Sequence, residues 1–289
     1  MIETKKLFCR YCHVFCGIEV DVDTEKNRAV AIRGDRQHPI SGGYTCIKGR
    51  AELERIYHSD RLLSSKKRSN GVLSDIDPEK ALDEVAHKLR DIVDKYGPNS
   101  VALYAGGASC RMSTCDPVFQ SRWLDQFGSE SYYTSFTIDA PSLCIAAYRL
   151  WGAFMPFSVS DMDHAEVSML IGTNPLTSHL FTMPQPNALK RLRDNRKRGM
   201  KLIIINPRRC EVAEQADLFL QIKPGEDATL LSAMIKIIID KGLYDKPYVE
   251  AFGSGLDALH KAVGDFDLEY AARRTQIPAD LIQEAAEMF

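Results

Sequence analysis

The sequence predicts an α/β protein in which a small N-terminal domain of short strands precedes doubly wound, parallel-sheet (Rossmann-like) domains. Three observations predict it. From residue 77 onward, short apolar runs alternate with stretches of helical periodicity, the pattern of βαβ units. Residues 1–65 lack that periodicity and are rich in Cys, Gly and charge. The length, 289 residues, allows more than one domain at roughly 150 residues each.

Each element has a local reason. Val20, Val22, Val30 and Ile32 alternate along two short runs around a turn at 24–27, so small strands are expected in residues 1–65, where helix is hard to see. Asp77-Pro78 opens a helix, because aspartate caps free amides and proline fits the first turn. Ala81, Leu82, Val85, Ala86, Leu89, Ile92 and Val93 continue it, and Gly97-Pro98 stops it. A strand at 101–104 is expected to run into Gly106-Gly107. Buried strands are expected at 167–171, 202–205 and 218–222, ending at Gly172, Asn206 and Pro224-Gly225. Helices are expected at 188–198, 227–241 and 278–289. The last pattern reaches the final residue without a cap, as a frayed end or a longer protein would both give.

Composition narrows the function classes. Lys plus Arg total 37 and Asp plus Glu 39, a net charge of −2, which excludes a general nucleic-acid binder. With 45% apolar and 26% charged residues the chain is not disordered. No apolar run approaches the roughly 18 residues that span a bilayer, and the first residues lack a signal core, so no direct membrane insertion is expected. Eight cysteines are too few for a disulfide scaffold of this length. Three of them crowd into the first sixteen residues, which indicates metal binding in a reducing compartment, hence a cytoplasmic protein.

Cys9, Cys12 and Cys16 have C-x2-C-x3-C spacing, and Cys46 lies well downstream. Thiolates so spaced wrap one cubane or one tetrahedral ion. Zinc sites usually use two close pairs, and Cys46 has no cysteine beside it, so iron–sulfur is the first reading and structural zinc the second. The reverse order, C-x3-C-x2-C, is that of radical-SAM enzymes. His13 lies in the cysteine loop with a surface or supporting role. Cys110 and Cys115 read as unpaired structural thiols, and the basic stretch 190–198 as a solvated helix face. His164 and His179 are candidates for a substrate funnel.

Ordered motifs then resemble a family. Cys9-x2-Cys12-x3-Cys16-Gly17, Gly42-Gly43-Tyr44-Thr45-Cys46-Ile47-Lys48-Gly49-Arg50 and His58-x-Asp60-Arg61-Leu62 resemble the N-terminus of molybdopterin oxidoreductases. That group includes formate dehydrogenases and periplasmic nitrate reductases. Ala81-Leu82-Asp83-Glu84-Val85-Ala86 is similar to its first helix after the cluster domain. Ile171-Gly172-Thr173-Asn174-Pro175 resembles its G-x-N-P loop, and Ile205-Asn206-Pro207-Arg208-Arg209 its second nucleotide loop. Pro224-Gly225-Glu226-Asp227-Ala228 resembles its P-G-x-D-x-A element, and Leu243-Tyr244-Asp245 a downstream turn.

The resemblance implies a 4Fe–4S cluster domain at 1–65, held by Cys9, Cys12, Cys16 and Cys46. It implies that 66–289 is an incomplete region binding bis(molybdopterin guanine dinucleotide) with molybdenum or tungsten, lacking the family's C-terminal cofactor-gripping domain. The implied activity is two-electron redox chemistry on a small-molecule substrate, with an electron-transfer partner subunit of iron–sulfur or flavin/NAD type. Lys48 matches the family lysine that couples cluster and pterin. Gly172, Asn174 and Pro175 match the loop against the cofactor, where open α/β sheets bind phosphate. Asn206 replaces the more usual aspartate and keeps an acceptor without its charge. Arg208 and Arg209 suit phosphate. Gly225 and Asp227 belong to the cofactor site, Asp227 as an acceptor from guanine N–H groups that also favours the helix dipole. For the metal ligand, in the stretch 134–144, Asp139 comes first, Cys144 second, and no protein ligand third. The missing cysteine departs from a standard formate dehydrogenase. Two other classes stay open: a non-catalytic iron–sulfur electron-transfer module, and a zinc-stapled nucleotide-binding protein.

Overall fold

The computed structural model describes residues 1–12, 14–106, 117–153, 160–177 and 186–289. His13, Gly107, Cys110, Cys115 and His179 lie outside the described residues. The chain forms two compact units, Met1–Ser158 and Val159–Phe289.

The first unit opens with an antiparallel sheet in the order β1 (Ile2–Phe8), β2 (Gly17–Asp23), β3 (Arg28–Gly34). The valine alternation marks β2 and β3. β1 has no alternation to read, since it is an edge strand exposed along its whole length. Two helices, α1 (Ile47–Arg50) and α2 (Glu52–Ile56), lie within residues 1–65, where helix is hard to see in the sequence. Each is barely more than one turn, too short to show a period. β4 (Lys66–Ser69) and β5 (Val72–Asp75) form a hairpin around Asn70-Gly71. Both turn residues have positive φ, +52° and +82°, as the tightest hairpin turn requires. α3 (Pro78–Tyr96) starts where expected: Asp77 Oδ1 accepts from the Glu79 and Lys80 amides, each at 3.1 Å. It is amphipathic, yet none of its residues is buried.

A parallel strand pair follows, β6 (Leu103–Ala105) with β7 (Tyr132–Thr134). β6 begins later than expected because a 3-10 turn, Pro98–Ser100, holds the Val101 amide on the Pro98 carbonyl. Among the described residues, the remaining helices of this unit are α4 (Pro117–Asp125), α5 (Phe136–Asp139) and α6 (Pro141–Trp151).

The second unit is built on a parallel sheet in the order β8 (Val167–Ile171), β9 (Lys201–Ile205), β10 (Leu218–Leu220). α7 (Ala188–Lys197) links β8 to β9. Five helices follow β10: α8 (Asp227–Asp240), α9 (Lys246–Phe252), α10 (Leu256–Ala262), α11 (Leu268–Thr275) and α12 (Ala279–Met288). Leu202 and Ile204 of β9 pack with Ala188 and Leu192 of α7. Ile203 and Ile205 face the other way, onto Leu230 and Met234 of α8 and Ile282 of α12. A strand covered on both faces must be apolar throughout, which is why 202–205 reads as an unbroken run. Helices on both faces of a parallel sheet are what the predicted fold class requires. Among the described residues, no helix is long and apolar enough to cross a membrane.

Candidate functional site

The cysteines are brought together by close backbone packing. β1 ends at Phe8 and β2 begins at Gly17, so the strand pair pinches off the loop carrying Cys9, Cys12 and Cys16. The Cys9 amide closes it on the Cys16 carbonyl at 2.8 Å. Cys46 enters from another segment, as the residue capping α1. Absent side chains allow that approach. A Cβ on Gly17 would sit 2.3 Å from the His38 ring, and one on Gly34 would sit 1.9 Å from the Gly43 carbonyl oxygen. Ser41 Oγ accepts from the Gly17 amide at 3.0 Å and lies 2.9 Å from His38 Nδ1. Gly49 leaves room beside the sulfur: a Cβ there would be 3.4 Å from Cys9 Sγ and 2.4 Å from Thr45 Oγ1.

The thiols sense one another. Burial, then the neighbouring Cys12, Cys9 and Cys46, push the Cys16 thiol up to about 12. Cys9 is raised for the same reasons, burial first. Four thiolates so close repel unless a cation lies among them, and a coordinating metal deprotonates thiols outright. Among the described residues, no three His, Cys, Asp or Glu side chains gather tightly enough for a single ion. Four neighbouring cysteines, two of them with raised thiols, and a glycine against one sulfur suit a cubane, in which each thiolate takes its own iron.

Lys48 is exposed on α1 and lines a cavity of about 660 Å³ with Tyr11, Arg55, His58, Asp60 and Arg61. The His58-x-Asp60-Arg61 motif thus faces the same space as Lys48. Arg55 Nε donates to Glu52 at 3.0 Å and holds that carboxyl below its usual range. Burial and Glu52 raise the Tyr11 phenol.

The second group of predicted residues gathers at the carboxyl edge of the β8–β9–β10 sheet. The Gly172 amide donates to the Ile205 carbonyl at 2.8 Å, and the Asn206 amide to the Leu220 carbonyl at 3.2 Å. Three loops therefore leave one edge side by side. Gly172 has φ +63°, a conformation side chains rarely adopt. Asn174 Nδ2 donates to Glu211 Oε2 at 2.5 Å, and its Oδ1 accepts from the Leu176 amide at 3.3 Å. Pro175 is buried. Asn206 Oδ1 accepts from the Arg208 amide at 2.9 Å, shaping the second loop. Arg208 is exposed, 3.7 Å from Glu211. Arg209 Nε donates to Glu214 at 2.7 Å, and its guanidinium lies over Phe219. In the third loop Gly225 has φ +88°, and Asp227 begins α8 at its positive end.

Glu226, which the sequence did not single out, anchors that third loop. It is 7% exposed; Arg274 Nη2 donates to Oε1 at 2.8 Å and Thr229 Oγ1 to Oε2 at 2.7 Å. Arg274 first, then Thr229, hold its carboxyl below the usual range. The folded state therefore favours the ionised form. That stabilisation is complete above the unfolded value of about 4.3 and is lost as pH falls through the lower folded value. Glu226→Gln is expected to melt a few degrees lower at neutral pH and to lose the acid-dependent part of the difference. Melting temperatures of both proteins between about pH 7 and pH 3 check this; parallel curves would overturn it.

Asp139 and Cys144 belong to the first unit. Asp139 is exposed at the end of α5, its amide on the Ser135 carbonyl at 2.8 Å. Cys144 is 1% exposed within α6. His164 is exposed and lies 2.7 Å from Asp161.

Comparison with known proteins decides the family. Residues 2–58 match the molybdopterin oxidoreductase Fe4S4 domain, and residues 61–266 match the molybdopterin oxidoreductase domain itself.

The chain belongs to the molybdopterin oxidoreductase family. These domains indicate a 4Fe–4S cluster and a molybdopterin cofactor with molybdenum or tungsten. Among similar molybdopterin oxidoreductases, a nitrate reductase of Symbiobacterium thermophilum is 31% identical over 97% of this chain and 38% of its own length. The alpha subunit of F420-dependent formate dehydrogenase 2 of Methanococcus maripaludis is 29% identical over 97% of this chain and 40% of its own. The structure of acetylene hydratase from Pelobacter acetylenicus superposes with a TM-score of 0.79 at 27% identity, covering 99% of this chain and 38% of that one. The chain thus spans about two fifths of the length of these relatives. Their names state three different reactions, so family membership alone does not identify the substrate.

Proposed function

We propose that the chain is the cluster- and pterin-binding part of a molybdenum- or tungsten-dependent oxidoreductase acting on a small substrate. The observation that carries this reading is the gathering of Cys9, Cys12, Cys16 and Cys46, close enough that their neighbours raise the Cys9 and Cys16 thiols, with a side-chain-free position at Gly49. When bound, the cofactors supply two-electron chemistry at the metal and single-electron transfer at the cluster. The protein's own residues hold and orient them. Residues 1–65 supply the four thiolates. Lys48 places an ammonium beside the cavity next to the cluster loop, where a positive charge raises the potential of an anionic cluster. In 66–289, the loops of Gly172, Asn174 and Pro175, of Asn206, Arg208 and Arg209, and of Gly225 and Asp227 bind bis(molybdopterin guanine dinucleotide). Asp139 is the metal ligand: it is exposed, whereas Cys144 is packed inside α6. We further propose a cytoplasmic protein that passes electrons to a partner subunit of iron–sulfur or flavin/NAD type.

The test is a metal and sulfide count on anaerobically purified protein, with its EPR spectrum after dithionite. About four iron and four sulfide per chain are expected, with a reduced-cluster signal. Molybdenum or tungsten in the same sample supports the enzyme reading. Cluster without either favours the electron-transfer module. One zinc and no iron overturns the proposal.

A further inference from the structure

Glu211 joins two of the loops at the sheet edge, and the function proposed above leaves it without a role. Its Oε2 accepts from Asn174 Nδ2 at 2.5 Å, on the loop after β8, and lies 3.7 Å from an Arg208 guanidinium nitrogen, on the loop after β9. Hydrogen bonding from its own amide and from Asn174, then the Arg208 charge, hold its carboxyl below the usual range, so it is ionised at neutral pH. The side chain is nonetheless 58% exposed, so neither burial nor packing demands this arrangement. An amide N–H and a guanidinium aimed at one carboxylate oxygen are the donors that a phosphate oxygen takes.

We propose that Glu211 is a positioning residue that acts as an internal counter-anion. It aligns Asn174 and Arg208 across the two loops, and its charge opposes any ligand phosphate that approaches them. This rests on reading the edge as a nucleotide site. The consequence is an electrostatic cost that every phosphate ligand meets at these two loops, whatever its size. A nucleotide offsets that cost with additional contacts at the Gly225–Asp227 loop.

The test uses the intact 289-residue chain and equilibrium titration with GDP and with inorganic pyrophosphate. Glu211→Gln keeps an oxygen for Asn174 and removes only the charge. It is expected to bind both probes about three- to tenfold more tightly at low ionic strength, since one unit charge a few ångströms away is worth about that factor in a water-like dielectric. The gain shrinks as salt is added. Glu211→Asp keeps the charge and is expected to bind as the parent does. A purely structural bridge predicts the opposite order, with Gln unchanged and Asp weakened, and that result overturns the proposal. GDP binding that Arg208→Ala weakens and Glu211→Gln leaves unchanged overturns this inference alone. No GDP binding to either parent or Gln variant overturns the nucleotide reading of the edge as well. Equal melting temperatures for the parent and the Gln variant are expected, and a lower one for Gln returns Glu211 to a structural role.

Discussion

Cys16→Ser is expected to leave the anaerobically purified chain without its cluster, iron and sulfide falling from about four each per chain towards zero. Cys16 is the most enclosed of the four thiols, at 7% exposure. It stands where the loop turns into β2, and its carbonyl closes the loop on the Cys9 amide. A hydroxyl there stays protonated at neutral pH and is a poor ligand for iron. Solvent cannot easily substitute at so enclosed a corner. Cys144→Ser is the control: it removes an even more buried thiol from α6, outside the cluster loops, and is expected to leave iron and the reduced EPR signal unchanged. Iron retained in the Cys16 variant, or lost in the Cys144 variant, would remove the basis for the ligand assignment.

Leu230→Ala is expected to destabilise the second unit by about 2–5 kcal/mol. Leu230 is completely buried on α8, against Ile203 and Ile205 of β9 and Ile282 of α12. Truncation removes contacts and leaves a cavity between sheet and helix that neighbours on both sides cannot collapse into. Leu82→Ala, at an α3 position that is 64% exposed, is expected to stay within about 0.5 kcal/mol of the parent. Urea unfolding measures both. Amide exchange over β9 and α8 localises the first, which should rise there before it rises in β2 and β3. Equal costs at the two leucines would mean that the core lies elsewhere.

Much of this molecule was readable from local sequence. Asp77-Pro78, Gly97 and Gly172 act through their own backbone or the next few amides, so their roles show without tertiary context. The strand at 167–171 and the continuous run at 202–205 were legible because two-sided burial makes a strand uniformly apolar. The cysteine spacing and the loops following each strand likewise sit in short segments. The Asn70-Gly71 turn carried a local signal too, one that the valine pattern elsewhere overshadowed. β1, α1 and α2 were illegible for a different reason: an exposed edge strand and single-turn helices bury too little to impose a period.

Only the tertiary structure decided which distant groups meet. Cys46 reaches the cysteine loop because Gly17 and Gly34 lack the side chains that would collide with His38 and Gly43. Glu226 is held by Arg274, 48 residues away, and Asn174 by Glu211, 37 residues away. Such pairs have no fixed spacing, because the connecting chain contributes only length. Sheet register brings the loops of Asn174 and Glu211 to one edge, and the placing of α11 brings Arg274 to Glu226. Sequence by itself determined the ligand types, the element order and the family motifs. The fold determined the distances between them, since charge and steric exclusion act through space and not along the chain.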